Sequence, residues 1–153
     1  MPQLLLSPSS DSDQERQPLE TYKNGLHKIL FMDPSVDKLN EMRPHLEALA
    51  EENGATVTQA IPTMLEWLPQ GCSKGKGVSK MCQRLGIDPK TQLLALGDAE
   101  NDIGMLKMAS IGVVVGNGSE IAKKAADVVL TQTNDDGAVG VAMEKYAFGR
   151  VPS

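Results

Sequence analysis

At 153 residues the chain has the length of one ordinary domain and can bury a real core. Aromatic residues make up 3% of it against eight methionines, so Leu, Ile, Val and Met must fill most of the interior. The net charge of −5 comes with no sustained basic stripe and no bilayer-length apolar run, which argues against nucleic-acid and membrane partners.

Residues 1–25 carry the Ser-, Pro- and charge-rich stretch SPSSDSDQERQPLE and are expected to form a disordered arm. Its opening Leu4-Leu5-Leu6 is too short for a signal peptide, so a cytoplasmic location is the expectation. Lys28 to Met32 is a short apolar run ended by Asp33-Pro34, which suits a strand. Val36, Leu39, Met42, Leu46 and Leu49 recur at three- and four-residue steps, predicting an amphipathic helix over 36–52. Pro44 removes one backbone hydrogen bond, so a kink or two abutting helices is expected, with Asn53-Gly54 as the stop. Two strands, 55–60 and 64–68, complete a β-α-β-β unit, and a boundary between structural units is expected near 69–74.

Beyond Gly71 the rhythm changes. Helices are predicted at 76–85, 100–109, 119–126 and 135–147, alternating with buried strands at 93–96, 111–115 and 128–130. Apolar strands alternating with helices predict an α/β fold with a parallel sheet covered on both faces. Cys72 and Cys82 fit no zinc spacing and are expected to be reduced thiols.

Two motifs carry chemistry. Gly97-Asp98-Ala99-Glu100-Asn101-Asp102 directly follows an apolar strand, and ligands of parallel sheets sit outside the C-terminal strand ends. Carboxylates held there suit Mg²⁺, which keeps waters and substrate phosphate as its other ligands. Helix capping by Asp98, with Glu100 and Asp102 complementing the dipole, is the structural alternative. Some two dozen residues earlier, Ser73-Lys74-Gly75-Lys76-Gly77 places lysines in a Gly-rich turn at a helix start, where a phosphate can meet both ammonium and backbone N–H groups.

In this order SKGKGV, LALGDAENDIGMLKMA, IGVVVGNGSE and NDDGAV resemble the C-terminal half of Cof-type haloacid dehalogenase-like (HAD) hydrolases. The resemblance runs from about Leu26 to Phe148, with IPTMLEWLPQGCSK similar to the strand returning from cap to core. It implies the last part of an α/β (C2-type) cap over 26–70 and the C-terminal half of a Rossmann-like core over 71–153. It further implies a Mg²⁺-dependent phosphatase acting on a small phosphorylated metabolite, with sugar phosphates as the default class. By the same resemblance Lys74, in preference to Lys76, contacts the phosphoryl group; Asp98 ligates Mg²⁺; Asp102 either supports the metal ligands from behind or is a weaker metal ligand itself. Asn101 places phosphate or the lysine, and Asn117 and the turn Asn134-Asp135-Asp136-Gly137 border the site, with structural roles favoured for the last two.

The family's nucleophile lies in an Asp-x-Asp-Gly-Thr segment after an apolar strand. This sequence has none: Asp11-Ser12-Asp13 is followed by Gln14-Glu15 and preceded by a stretch that cannot be a buried strand. The chain alone is therefore expected to be inactive, and an open sheet edge is expected to invite a homodimer. Two other readings remain: a non-catalytic remnant that binds phosphate, Mg²⁺ or a partner, and an unrelated doubly wound binding module.

Overall fold

The computed structural model describes residues 27–149. The arm at 1–25 and the Asp11-Ser12-Asp13 sequence lie outside the described residues. Two three-stranded sheets organise the chain.

The first sheet has the order β1-β3-β2, with β1 at Ile29–Met32, β2 at Ala55–Ile61 and β3 at Met64–Pro69, all pairings antiparallel. One face is covered by helix α1, Val36–Glu52, which starts where the Ser35 hydroxyl accepts the Lys38 N–H. Leu39, Leu46 and Leu65 form the core between them, ringed by Phe31, Met42, Val57 and Trp67. Val36 and Leu49, expected on the apolar stripe, are 38% and 49% exposed, and Ala50 is buried instead. Pro44 does not divide the helix, which is continuous through it. The missing N–H falls on the outer side, where Asn40 and Pro44 are both exposed, so water can take up the freed carbonyl.

The second sheet is parallel, in the order β4-β5-β6, with β4 at Leu94–Gly97, β5 at Ile111–Val114 and β6 at Val128–Val129. Successive residues alternate between two cores. Ala95 and Val114 pack with Leu106, Ala109 and Ala122 on one face, whereas Val113 and Val115 pack with Leu130, Ala138 and Ala142 on the other. Both faces are thus buried, as the continuous apolar runs require. Among the described residues β4 and β6 are the sheet's two edges.

Helix α2 spans Lys74–Leu85 and begins two residues earlier than predicted, because Ser73 accepts the Lys76 N–H and acts as the cap. It ends at Gly86, whose φ of 66° closes the helix with bonds back to Cys82 and Gln83. A short helix α3, Pro89–Gln92, was not expected; Asp88 caps it, and Pro at the first position is pre-set for a helix. The predicted helix 100–109 is a 3₁₀ turn at Glu100–Asp102 running into α4, Ile103–Met108. The helix expected at 119–126 is the single turn α5, Glu120–Lys123. The closing helix is a 3₁₀ turn at Asn134–Asp136, then α6, Ala138–Ala142, and a wider π turn at Met143–Ala147. No helix among the described residues is long and apolar enough to cross a membrane.

Candidate functional site

Four features bring the two motifs together. β4 delivers Asp98 to its C-terminal end, and the following 3₁₀ turn folds Asp102 back beneath it. Gly97 makes room for this: a Cβ there would lie 2.5 Å from the Asp102 Cβ. Its backbone needs no unusual angle, so close approach is the reason for glycine. On the other side α2 packs directly on α4, where a Cβ on Gly75 would lie 2.8 Å from the Gly104 carbonyl carbon. That contact sets Lys74, at the start of α2, against Asp102.

Asp102 is the hub. It is 2% exposed, and its Oδ1 takes the Lys74 ammonium at 2.7 Å. Its Oδ2 accepts the N–H groups of Asp98 at 3.0 Å and Ala99 at 3.2 Å. Burial by itself pushes this carboxyl up. The hydrogen bonds from Lys74, Asp98 and Ala99, with the lysine's charge, outweigh burial and hold it below the ordinary carboxylate range. With both oxygens engaged, Asp102 is built to position Lys74 and the Asp98 backbone.

Asp98 is exposed, and its carboxylate has no partner among the described residues. Its main chain is fixed on both sides, the N–H by Asp102 and the carbonyl by the Ser119 N–H at 2.7 Å. A free carboxylate on a pinned backbone is what a ligand site needs. Asn101 contributes a second oxygen: its Oδ1 is buried without a hydrogen-bond partner. A stranded acceptor costs stability unless a ligand supplies a donor or a cation.

Lys74 and Asn101 lie on the wall of a cleft of about 370 Å³ between the two sheets. Lys28, Thr56, Thr58 and Glu66 line it from the antiparallel sheet. Lys76 is exposed and is not part of this lining. Asn117 does not line it either. Its amide donates to Asn134 Oδ1 at 2.8 Å, and its Oδ1 accepts the Asn134 N–H at 3.2 Å, tying two loops together. In the neighbouring turn Thr133 donates through its hydroxyl and N–H to Asp136, which holds that exposed carboxyl below its usual range. Cys72 is exposed in the cleft wall and Cys82 is buried; neither is in a disulfide.

Sequence reading missed the clamp between the two sheets. Arg43 on α1 donates to both Glu100 oxygens, at 2.8 and 2.6 Å, and to Glu47 at 2.7 Å. The Glu100 hydrogen bond, in spite of partial desolvation, raises the guanidinium pKa well above its ordinary value. A separation of 57 residues leaves no local signal for such a pair.

A family profile described as haloacid dehalogenase-like hydrolase matches residues 5–143. The chain belongs to the haloacid dehalogenase-like hydrolases. It is 42% identical over 123 residues to a chloroplastic endoribonuclease YBEY of Arabidopsis thaliana, covering 80% of this chain and 20% of that protein. Identity is 34% over 103 residues to the 5-amino-6-(5-phospho-D-ribitylamino)uracil phosphatase YcsE of Bacillus subtilis, covering 67% of this chain and 41% of the relative. A haloacid dehalogenase-like hydrolase from Bacteroides thetaiotaomicron superposes with a TM-score of 0.65 at 30% identity, over 87% of this chain and 48% of that structure. The chain therefore spans less than half the length of each of these three proteins.

HAD phosphatases imply Mg²⁺, and the oxygens present can be tested against it. A free carboxylate on Asp98 and the unsatisfied Asn101 Oδ1 are both hard oxygen donors of the kind Mg²⁺ takes. Among the described residues no cluster of three or more His, Cys, Asp or Glu could hold a metal by itself. The residues fit a partial site, at which Asp98 would be the protein ligand and water and phosphate would complete the shell.

Proposed function

We propose that this chain supplies the phosphate- and Mg²⁺-holding half of a HAD phosphatase that hydrolyses a small phosphorylated metabolite. The observation that carries the reading is the Lys74–Asp102 pair, closed by the Asp98 and Ala99 N–H groups at the end of β4. Lys74 is half exposed, so its remaining ammonium donors face the cleft and would take a phosphoryl oxygen. Asp98 would hold the metal, which when bound would neutralise charge on the phosphoryl group. Asp102 keeps Lys74 aimed, and Asn101 would accept a donor from the ligated shell.

The sequence contains no Asp-x-Asp-Gly-Thr, so these 153 residues hold the groups that bind and not the one that attacks. The chain alone is inactive in this account, and turnover requires a nucleophile carried by further chain. The B. subtilis relative is a phosphatase of a ribityl phosphate, which supports a polyol or sugar phosphate as substrate. Native-length protein from source cells, screened with phosphate esters, should hydrolyse at least one. Lys74→Ala and Asp98→Asn should each abolish that activity; full activity in both variants would leave the reading without support.

A second reading follows from the missing nucleophile: a remnant that binds phosphate or Mg²⁺, or acts by association, including homodimer formation at a sheet edge. An immunoblot separates the two. A band near 16 kDa favours the remnant, and a much heavier one favours the complete enzyme. Cell fractionation on the same lysate tests the cytosolic location against the plastid of the Arabidopsis relative.

A further inference from the structure

The turn that carries the site is short and weakly built. Glu100–Asp102 is three residues of 3₁₀ helix, and no side-chain hydrogen bond from Ala99 caps its start. Glu100 borders both the cleft and a second, smaller crevice of about 160 Å³, so open space lies against it. Two cations hold the turn, one at each end. At the inner end Lys74, from α2, meets Asp102 at 2.7 Å. At the outer end Arg43, from α1, donates to both Glu100 oxygens at 2.8 and 2.6 Å.

Asn101 lies between these two anchors. It lines the cleft, and its Oδ1 is buried with no hydrogen-bond partner to fix it. The place of this acceptor therefore depends on the backbone that Glu100 and Asp102 hold on either side. Arginine suits the outer anchor, because its planar fork takes both carboxylate oxygens and sets direction as well as distance. Arg43 Nε donates to Glu47 at 2.7 Å, which steadies the guanidinium from its own helix. Among the described residues Arg43–Glu100 is also the only ion pair that joins the antiparallel unit to the parallel one.

We propose that Arg43 is a positioning residue for the phosphate- and Mg²⁺-binding site, acting through Glu100 to set the place of the Asn101 acceptor. The inference rests on the reading of this turn as that site. Arg43 does not line the cleft, so the antiparallel unit contributes to binding here without touching the ligand. Groups that orient ligating side chains from behind change affinity by about tenfold or more when they are removed.

Calorimetric titration of the 153-residue chain with inorganic phosphate in Mg²⁺ tests this, at a temperature where circular dichroism shows every variant folded. Arg43→Met should weaken phosphate binding about tenfold. Arg43→Lys, which keeps the charge and loses the fork, should recover part of that loss. In an Asn101→Ala background Arg43→Met should weaken binding by less than about twofold further, because the two residues act as one unit. An unpaired Glu100 would also repel phosphate, but that loss would persist without Asn101, and the double variant separates the two. Unchanged phosphate affinity in Arg43→Met overturns the inference alone and leaves Arg43–Glu100 as a structural ion pair. A full tenfold loss in the Asn101→Ala background likewise overturns it, because Arg43 would then act by charge. Failure of phosphate to bind the unaltered chain overturns the reading of the site, and this inference with it.

Discussion

Removing Asp102 should separate its work as a charge from its work as an acceptor. In Asp102→Ala three donors lose their partner: Lys74 and the N–H groups of Asp98 and Ala99. The two N–H groups sit at a buried turn, with Ala99 7% exposed, and each stranded donor costs about 1–2 kcal/mol. Lys74 is 52% exposed and can be rehydrated, so losing the ion pair adds about 1 kcal/mol at most. The sum is about 2–5 kcal/mol. In Asp102→Asn the amide oxygen still accepts both N–H groups, and the cost should fall to about 1–2 kcal/mol. Urea unfolding followed by far-ultraviolet circular dichroism at pH 7 measures both. Equal losses in the two variants would refute the reasoning, because the backbone bonds would then contribute nothing. Since the folded carboxyl lies below its unfolded value, its contribution is present above about pH 4 and is lost as pH falls through and below that point. The Asn variant should lack this part of the acid slope.

Gly75→Ala forces a Cβ against the Gly104 backbone, which cannot swing aside as a side chain would. It should cost about 1–3 kcal/mol in the same unfolding assay and weaken phosphate binding by displacing Lys74. Arg43→Met should destabilise the chain by about 1–2 kcal/mol at low salt, with the loss shrinking in 1 M NaCl, because the Arg43–Glu100 clamp is only partly buried. An unchanged loss in high salt would show that packing, not charge, holds the clamp. N-ethylmaleimide should modify Cys72 and spare Cys82 in the folded chain, read by peptide mass mapping. Bound phosphate with Mg²⁺ should slow labelling of Cys72, which shares the cleft with Lys74.

Elements whose signal is local were legible in the sequence. The continuous apolar runs Leu93 to Leu96 and Ile111 to Val115 placed β4 and β5, and Gly97-Asp98 placed a carboxylate at the strand end. Helix α2 began earlier than predicted because Ser73 is a better cap than the glycines after it are breakers. The role of Asp102 was not legible. Its place in the motif allowed a weak metal ligand, a support behind the metal or a dipole partner, and only the packing of Gly75 on Gly104 brings Lys74 within 2.7 Å of it. Arg43–Glu100 and Lys28–Glu66 join residues 57 and 38 apart, and no periodicity encodes such pairs. Glu66 did leave a trace, as a carboxylate within an otherwise apolar strand.

The most direct test of the central claim is an NMR titration of the uniformly ¹⁵N-labelled chain with inorganic phosphate, with and without Mg²⁺. The account predicts shifts at the amides of Lys74, Asp98, Ala99 and Asn101 that need both ions together, and their loss in Asp98→Asn. Phosphate that moves none of these amides at millimolar concentration, or moves them equally without Mg²⁺ and in Asp98→Asn, would contradict it.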